Sequence, residues 1–437
     1  MRLTDSLGIE KIFKTEDRIV LGKVSGNVFS EESLTAGQLN HHVHIVGASG
    51  YGKTVLISHI IKDRILKNKG LLFIDLKCDV DTMNAIQAIA KAAGRAHEVQ
   101  MFSLTDPQQS VAYNLILNGT ATQLRDKIMM SLVWSEEYYR NLSSSFLLKI
   151  LTGLCYIRDQ GKLAVTLNTI LSCTEKPEFI AALSEYIPDS ETRIKRAFES
   201  CYDFLRQSDQ FKALQGLRSQ LESLILSDFG DLVSSTENSI DLFKAIENQK
   251  IVLIYLDSRK YGETAKVVGR FILQDLKMVS SRIDSEVEKN NRKPFTVIID
   301  EFADLAQEDF IGFLDRARSS KMSVVVAHQE ICDLQRISPE FAGRLMGNTS
   351  TLYAFLQKRP ESAEMISGIA GTRTVWKTTK QTDRFGFFEI DSGKGSKREA
   401  EEYVIHPNLI KTLTVGKCVC IKKYPTSRAY LVKVHRD

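Results

Sequence analysis

Short apolar runs without alternation recur along this chain, each trailed by a stretch whose apolar residues fall three and four apart. Val43, His44, Ile45 and Val46 form the first run, and residues 55–66 after it carry one apolar stripe at helical spacing. Leu71, Leu72, Phe73 and Ile74 form the second, ending at Asp75 and followed by a helical pattern to Ala93; residues 99–102 form a third. Runs of this kind are strands buried on both faces, as in a parallel sheet. Strand and helix in alternation predict parallel strands joined by right-handed crossovers. The strands then stop. From about 120 to 240 the pattern is helical almost throughout, with Leu142, Phe146, Leu147, Ile150, Leu151 and Leu154 on one stripe. Phe211, Leu214, Leu217, Leu221, Leu224, Ile225, Phe229 and Leu232 lie on another. Alternation resumes with a strand at 251–256, a helix from about 263 to 282, a strand at 295–300, a helix at 310–318 and a strand at 322–327.

The turn after the first strand reads Gly47-Ala48-Ser49-Gly50-Tyr51-Gly52-Lys53-Thr54. It has the spacing G-x-x-x-x-G-K-[ST] between a strand and a helix, the setting a phosphate-binding P-loop requires. Glycines 47, 50 and 52 let backbone N–H groups, Ser49's included, face a polyphosphate at the positive end of the next helix. Lys53 would reach the β- and γ-phosphates, and the Thr54 hydroxyl would complete a Mg²⁺ shell. The strand at 295–300 ends in Asp300 and Glu301, at the carboxyl edge where parallel sheets place ligands. Asp300 would hold Mg²⁺ and Glu301 would polarise the attacking water as general base. The two motifs together point to ATP, Mg²⁺ and nucleotide hydrolysis. The fold class expected is α/β, a RecA-like P-loop NTPase with a predominantly parallel central sheet interrupted by an inserted all-α domain. The boundaries expected are 1–118 for the first nucleotide-binding part, 119–243 for the insertion and 244–437 for the second part.

Composition adds limits. The 437 residues carry a formal net charge of +4, so bulk charge alone argues for no nucleic-acid partner. The helical stretch 120–240 holds 13 basic against 16 acidic residues and is mildly acidic within a basic chain. Seven scattered cysteines (78, 155, 173, 201, 332, 418, 420) show no C-x-x-C pair and read as reduced thiols, with Cys418 and Cys420 as small apolar fillers on one strand face. His41, His42 and His44 run into the P-loop strand and read as strand-edge residues rather than metal ligands. No apolar stretch approaches 18 residues and no signal peptide opens the chain, so it is expected to be cytoplasmic without a direct membrane span. The Gly-, Ser- and Lys-rich tract 391–398 reads as a polar loop.

With these motifs in hand, the chain resembles the cytoplasmic ATPase part of the type IV coupling proteins, hexameric motors of conjugation and type IV secretion within the FtsK/HerA superfamily. The matching stretches are the P-loop strand and turn, Asp75-Leu-Lys77-Cys-Asp79, residues 102–107 leading to Tyr113-Asn114-Leu115, Asp300-Glu-Phe-Ala-Asp-Leu305, residues 316–329 and the closing run 404–413. The helical block sits where that family carries its all-α domain. The family's transmembrane helices have no counterpart in this sequence. The resemblance implies a homo-oligomer, a hexamer when assembled on DNA, that delivers a relaxase–DNA substrate to secretion channel components. Relaxase or accessory proteins would bind the all-α domain, and partners would recruit the ring to the inner face of the membrane. It places an arginine finger at Arg318, with Arg316 and Arg344 as competitors, and a γ-phosphate-sensing glutamine at Gln329. Asp75 and Lys77 fall beside the P-loop strand without a sharper role. The segment 373–385 mixes Arg373, Trp376, Lys377, Lys380, Arg384 and Phe385 as a DNA channel loop would, or as a solvated hairpin would; no sequence reader is evident, and single- and double-stranded DNA are equally compatible. Two rival readings are a HerA-like duplex translocase in repair or defence, and a secretion receptor that captures protein cargo.

Overall fold

The computed structural model describes residues 17–26, 30–385 and 388–435, with the backbone alone over 379–396. From the N-terminus the elements run β1 (Arg18–Val24), β2 (Glu31–Thr35), α1 (Ala36–Asn40), β3 (Val43–Val46), α2 (Lys53–Leu66), β4 (Gly70–Asp75), α3 (Val80–Ala92) and β5 (Val99–Ser103). A run of helices follows: α4 (Ala121–Ser131), α5 (Glu137–Asp159), α6 (Leu167–Glu175), α7 (Pro177–Ser184), α8 (Thr192–Arg206), α9 (Ser208–Ala213), α10 (Gln215–Ile225), α11 (Gly230–Ser234) and α12 (Leu242–Glu247). Then come β6 (Ile251–Tyr255), α13 (Ser258–Glu286), β7 (Phe295–Asp300), α14 (Phe310–Ala317), β8 (Met322–His328), α15 (Phe341–Asn348), β9 (Thr351–Ala354) and α16 (Pro360–Ala370). The chain closes with β10 (Thr372–Phe385), β11 (Phe388–Tyr403), α17 (Pro407–Lys411), β12 (Lys417–Lys422) and β13 (Arg428–Val434).

The chain divides into two compact units, 1–60 with 325–437 and 61–324. In the first unit the strand order is β2-β1-β13-β12-β9-β3-β8, with β8 entering it at residue 325. β3 pairs parallel with both β8 and β9, and Val46 lies level with His328 and Ala354, so three carboxyl ends are flush. β12, β13, β1 and β2 extend this core in antiparallel fashion. β10 and β11 form a separate two-stranded hairpin. The expected loop at 391–398 is therefore extended backbone inside β11: pairing across the hairpin overrides the local Gly/Ser composition. The side chains of Lys380, Arg384 and Phe385 lie outside the described residues.

In the second unit β7, β4, β6 and β5 are consecutive and parallel. β4, β6 and β7 are buried along their full length, as unbroken apolar runs predict. The helices from α4 to α12 bury the leucine-rich stripe of α5 (Phe146, Leu147, Ile150, Leu151, Leu154). α5 meets α8 closely at Gly153, where an added Cβ would come within 2.3 Å of the Phe198 ring. The second predicted stripe does not form one helix. It is spread over α9, α10 and α11, whose buried Leu214, Leu217, Leu221, Leu224 and Phe229 still face inward. Among the described residues no helix is long and apolar enough to cross a membrane.

One buried polar cluster ties the antiparallel flank of the first unit together. Glu32 on β2, only 1% exposed, pairs with Lys422 of β12 at 2.9 Å and accepts from Tyr353 at 2.6 Å and Tyr430 at 2.5 Å. The thiol of Cys420 donates to it at 3.7 Å, so this cysteine serves more than apolar filling. Removing one member of a buried ion pair leaves the other charge desolvated. Glu32→Ala is expected to lower unfolding free energy in urea by about 3–5 kcal/mol, and the Glu32→Met/Lys422→Met pair by clearly less. A loss below about 1 kcal/mol for Glu32→Ala would mean the cluster is solvated.

Candidate nucleotide site

The P-loop is anchored in the first unit by backbone bonds to the two strands beside β3. Gly47 donates its N–H to the His328 carbonyl at 3.2 Å, and Ala48 donates to the Leu356 carbonyl at 2.9 Å. A Cβ on Gly47 would sit 2.4 Å from the Cβ of Phe355, so only glycine lets the turn lie this close to the chain after β9. Gly52 has φ +116°, a conformation closed to other residues, and delivers the chain into α2 at Lys53. Ser49 and Gly50 are exposed, Thr54 is half-buried and Lys53 is buried at 4% exposure. The Lys53 ammonium turns back onto the loop, donating to the carbonyls of Gly47 at 2.7 Å and Ala48 at 3.4 Å. A turn that only glycines can follow, at the start of a 14-residue helix with a lysine inside it, fits a phosphate chain.

Behind the loop lies a contact that sequence reading missed. His44 is not at a strand edge but in the interior of β3, with Nε2 2.6 Å from Nε2 of His328 on β8 and the rings stacked at 4.8 Å. His328 Nδ1 is 3.0 Å from the Glu330 carbonyl, which can only accept, so the His328 proton is on Nδ1 and His44 donates through Nε2. His44 Nδ1 is then a buried acceptor without a partner. Burial, with His328 and Lys423 nearby, pushes His44 well below the usual histidine range. Burial also pushes His328 down to about 3, the Glu330 hydrogen bond opposing and Lys53 adding to the fall. After β8, Gln329 is exposed; its carbonyl accepts from the buried Gln357 side chain at 3.0 Å, which fixes the backbone there.

The acidic motif is in the second unit. Asp300 closes β7 and is buried, level with Asp75 at the end of β4. Burial raises its carboxyl to about 6 although Lys77 pulls the other way, and Glu301 and Asp75 add to the rise. Its Oδ1 accepts from the Glu301 N–H at 2.9 Å. Glu301 is in left-handed backbone (φ 52°) and its side chain forms an ion pair with Lys77. Burial opposes the Lys77 charge, but Asp300, Glu301 and Asp75 together hold that ammonium above the usual lysine range. Asp75, raised by burial, accepts from the N–H groups of Lys77 at 2.7 Å and Asp79 at 2.8 Å. Arg318 caps the C-terminal end of α14 and is exposed, as is Arg316 two residues earlier on that helix. Asp300, Glu301 and Lys77 thus stand together; the sequence pointed to Lys77 without a role because its partner is distant along the chain.

Comparison with known proteins places this architecture. Residues 294–414 match the family described as the TraM recognition site of TraD and TraG. The chain is 22% identical to the type 4 coupling protein DotL of Legionella pneumophila, over 78% of this chain and 51% of that protein, so it spans about half the length of the curated relative it matches. Among solved structures, the unbound bacterial conjugative coupling protein TrwBΔN70 superposes with a TM-score of 0.67 at 14% identity, over 95% of this chain and 88% of that one. In sequence and fold the chain is similar to the type IV coupling proteins. TrwB in complex with ADP and Mg²⁺ gives a TM-score of 0.63 at 14% identity, over 92% of this chain and 87% of that one. VirB4 of Thermoanaerobacter pseudethanolicus gives 0.56 at 10% identity, covering 96% of each chain. The structural likenesses, at these identities, show a shared fold: a RecA-like α/β sheet with a helical insertion.

The histidine couple generates a pH dependence. Both rings are neutral in the folded chain, whereas unfolding returns them to ordinary values near about 6.5, so the unfolded state binds more protons below that pH. Their contribution is present above about pH 6.5 and is lost as pH falls toward the folded values, by up to about 1.4 kcal/mol per pH unit for each ring. Urea unfolding between pH 6.5 and 5 is expected to show a steep loss in the native chain and a shallower one in His44→Gln/His328→Gln. Equal slopes would contradict the neutral pair.

Proposed function

We propose that this chain is an ATPase of the coupling-protein kind, hydrolysing MgATP to move DNA, a relaxase–DNA substrate, toward a conjugation or type IV secretion channel. The observation that carries the reading is the 47–54 turn, a glycine-only cradle holding a buried lysine against its own carbonyls. It is supported by TrwB, a protein of the same fold whose structures include complexes with ADP and Mg²⁺ and with a non-hydrolysable ATP analogue.

In this reading the backbone of Gly47, Ser49, Gly50 and Gly52 lines the phosphates, and Lys53 exchanges the Gly47 carbonyl for β- and γ-phosphate oxygens. Thr54 and Asp300 would hold Mg²⁺, which would supply neutralising charge for those oxygens. Glu301 orients a water and takes its proton as the water oxygen bonds to the γ-phosphorus and the bond to the β–γ bridging oxygen breaks. Arg318 of a neighbouring copy reaches the transferring phosphoryl group, so turnover depends on a ring, proposed to be a hexamer on DNA. Gln329 senses the γ-phosphate from the end of β8. Residues 119–243 act as the cargo-facing all-α domain between nucleotide-binding parts 1–118 and 244–437. The protein works on the cytoplasmic side, recruited to the inner membrane face by channel partners. The acidic balance of 120–240 favours a second role for that block, as a receptor for basic protein cargo.

Lys53→Ala is expected to lower ATP turnover by about 100-fold or more with the fold intact by circular dichroism. Glu301→Gln should still bind ATP and hydrolyse it about 100-fold or more slowly. Arg318→Ala and Lys53→Ala subunits, each inactive alone, should recover activity when mixed. Full turnover in Lys53→Ala would remove the phosphate role, and no recovery in proven mixed rings would place the arginine elsewhere.

A further inference from the structure

Three neighbouring strand ends in the second unit share an unusual backbone. β4, β6 and β7 are parallel, with Asp75 level with Tyr255 on one side and Asp300 on the other. Just past each end stands a non-glycine residue in the left-handed region: Cys78 (φ 55°), Asp257 (φ 45°) and Glu301 (φ 52°). Each such residue is strained backbone that persists only where its surroundings fix it. The fixing is visible here. The Asp75 carboxylate gathers the Lys77 and Asp79 N–H groups and closes the turn after β4. From the other side the Ser258 N–H donates to the Leu76 carbonyl at 2.8 Å and Arg259 donates to the Lys77 carbonyl at 2.8 Å, binding that turn to the first turn of α13. The turn so built aims one side chain, Lys77, at Glu301. α13 itself breaks at Gly262 and continues to Asp275, which pairs with Lys127 of α4 at 2.9 Å.

We propose that Lys77 is a positioning residue that restrains Glu301: while the ion pair is made the carboxylate is committed to the ammonium, and it becomes free to orient water only when the turn after β4 withdraws Lys77. The proposal rests on Glu301 being the general base of the preceding section. It gives the strained turn a purpose, since a restraint set by backbone geometry is released by a small backbone shift rather than by a rotamer change. It also gives α13 one, because this helix joins the Lys77 turn to the helical block, the part proposed to meet cargo.

Steady-state ATP hydrolysis by the whole chain, with and without mixed-sequence plasmid DNA, tests it. Lys77→Met is expected to raise DNA-free kcat about fivefold or more with KM for ATP within about twofold, and to shrink DNA stimulation in proportion. Lys77→Arg, which keeps a cation, should hold the rise below about twofold. A fall in kcat for Lys77→Met that Lys77→Arg recovers would make Lys77 an activator of the base and overturn the restraint, and an unchanged kcat would overturn it as well. Glu301→Gln and the Lys77→Met/Glu301→Gln pair separate the two layers. Slow turnover in both with an unchanged Lys77→Met sinks the restraint alone, whereas wild-type turnover in Glu301→Gln sinks the base and the restraint together. Lys77→Gln, checked by its urea midpoint, replaces the Met variant if that chain does not fold.

Discussion

Lys53 has lost nearly all its water, and an ammonium in that state must find oxygen acceptors or cost several kcal/mol. It finds them in the carbonyls of Gly47 and Ala48, the loop it is meant to serve. Those carbonyls point inward because the N–H groups of the same residues are taken by His328 and Leu356. Their strands are flush with β3 because the parallel register sets Val46 against His328 and Ala354. Buried apolar strands fix the register, the register fixes the turn, and the turn holds a charge that a phosphate can claim. The cation and the glycines are thus one arrangement, and replacing the Gly47 hydrogen by a methyl group would displace Phe355 and the loop with it.

The second unit handles charge in the opposite way. At the ends of β4 and β7, Asp75 and Asp300 are carboxylates under desolvation, Asp300 to the extent of a carboxyl raised to about 6, and each answers with backbone N–H bonds. Lys77 supplies a counter-charge to Glu301 while its own burial is offset by three surrounding acids. A cation shared among carboxylates lowers the cost of gathering them at one sheet edge.

What could be read from sequence follows the range over which each signal acts. The P-loop strand, β4, β6, β7 and β8 were legible because strands buried on both faces leave largely unbroken apolar runs, and the 47–54 turn because its glycines are required by geometry. The antiparallel flank was not: β1, β2 and β13 are partly exposed, and β1 joins the flank by pairing with β13 across almost the whole chain. Residues 391–398 misled because composition is local while hairpin pairing is not. His44 carried no sign that it faces His328, and Lys77 none that it faces Glu301, since both contacts are made only when parallel strands align. The 211–232 stripe was correct for Leu214, Leu217, Leu221, Leu224 and Phe229, which are buried, while Phe211, Ile225 and Leu232 are half-buried, and it was wrong about continuity, as three short helices can present one inward row.

The proposed reading stands on the 47–54 turn as the place where the phosphates of MgATP are held. The structure of the chain with Mg²⁺ and a non-hydrolysable ATP analogue tests it most directly. Lys53 Nζ is expected to leave the Gly47 carbonyl and to lie within hydrogen-bond reach of β- and γ-phosphate oxygens, with Mg²⁺ on the Thr54 hydroxyl. Nucleotide bound elsewhere, or bound with Lys53 still on the Gly47 carbonyl, would contradict it.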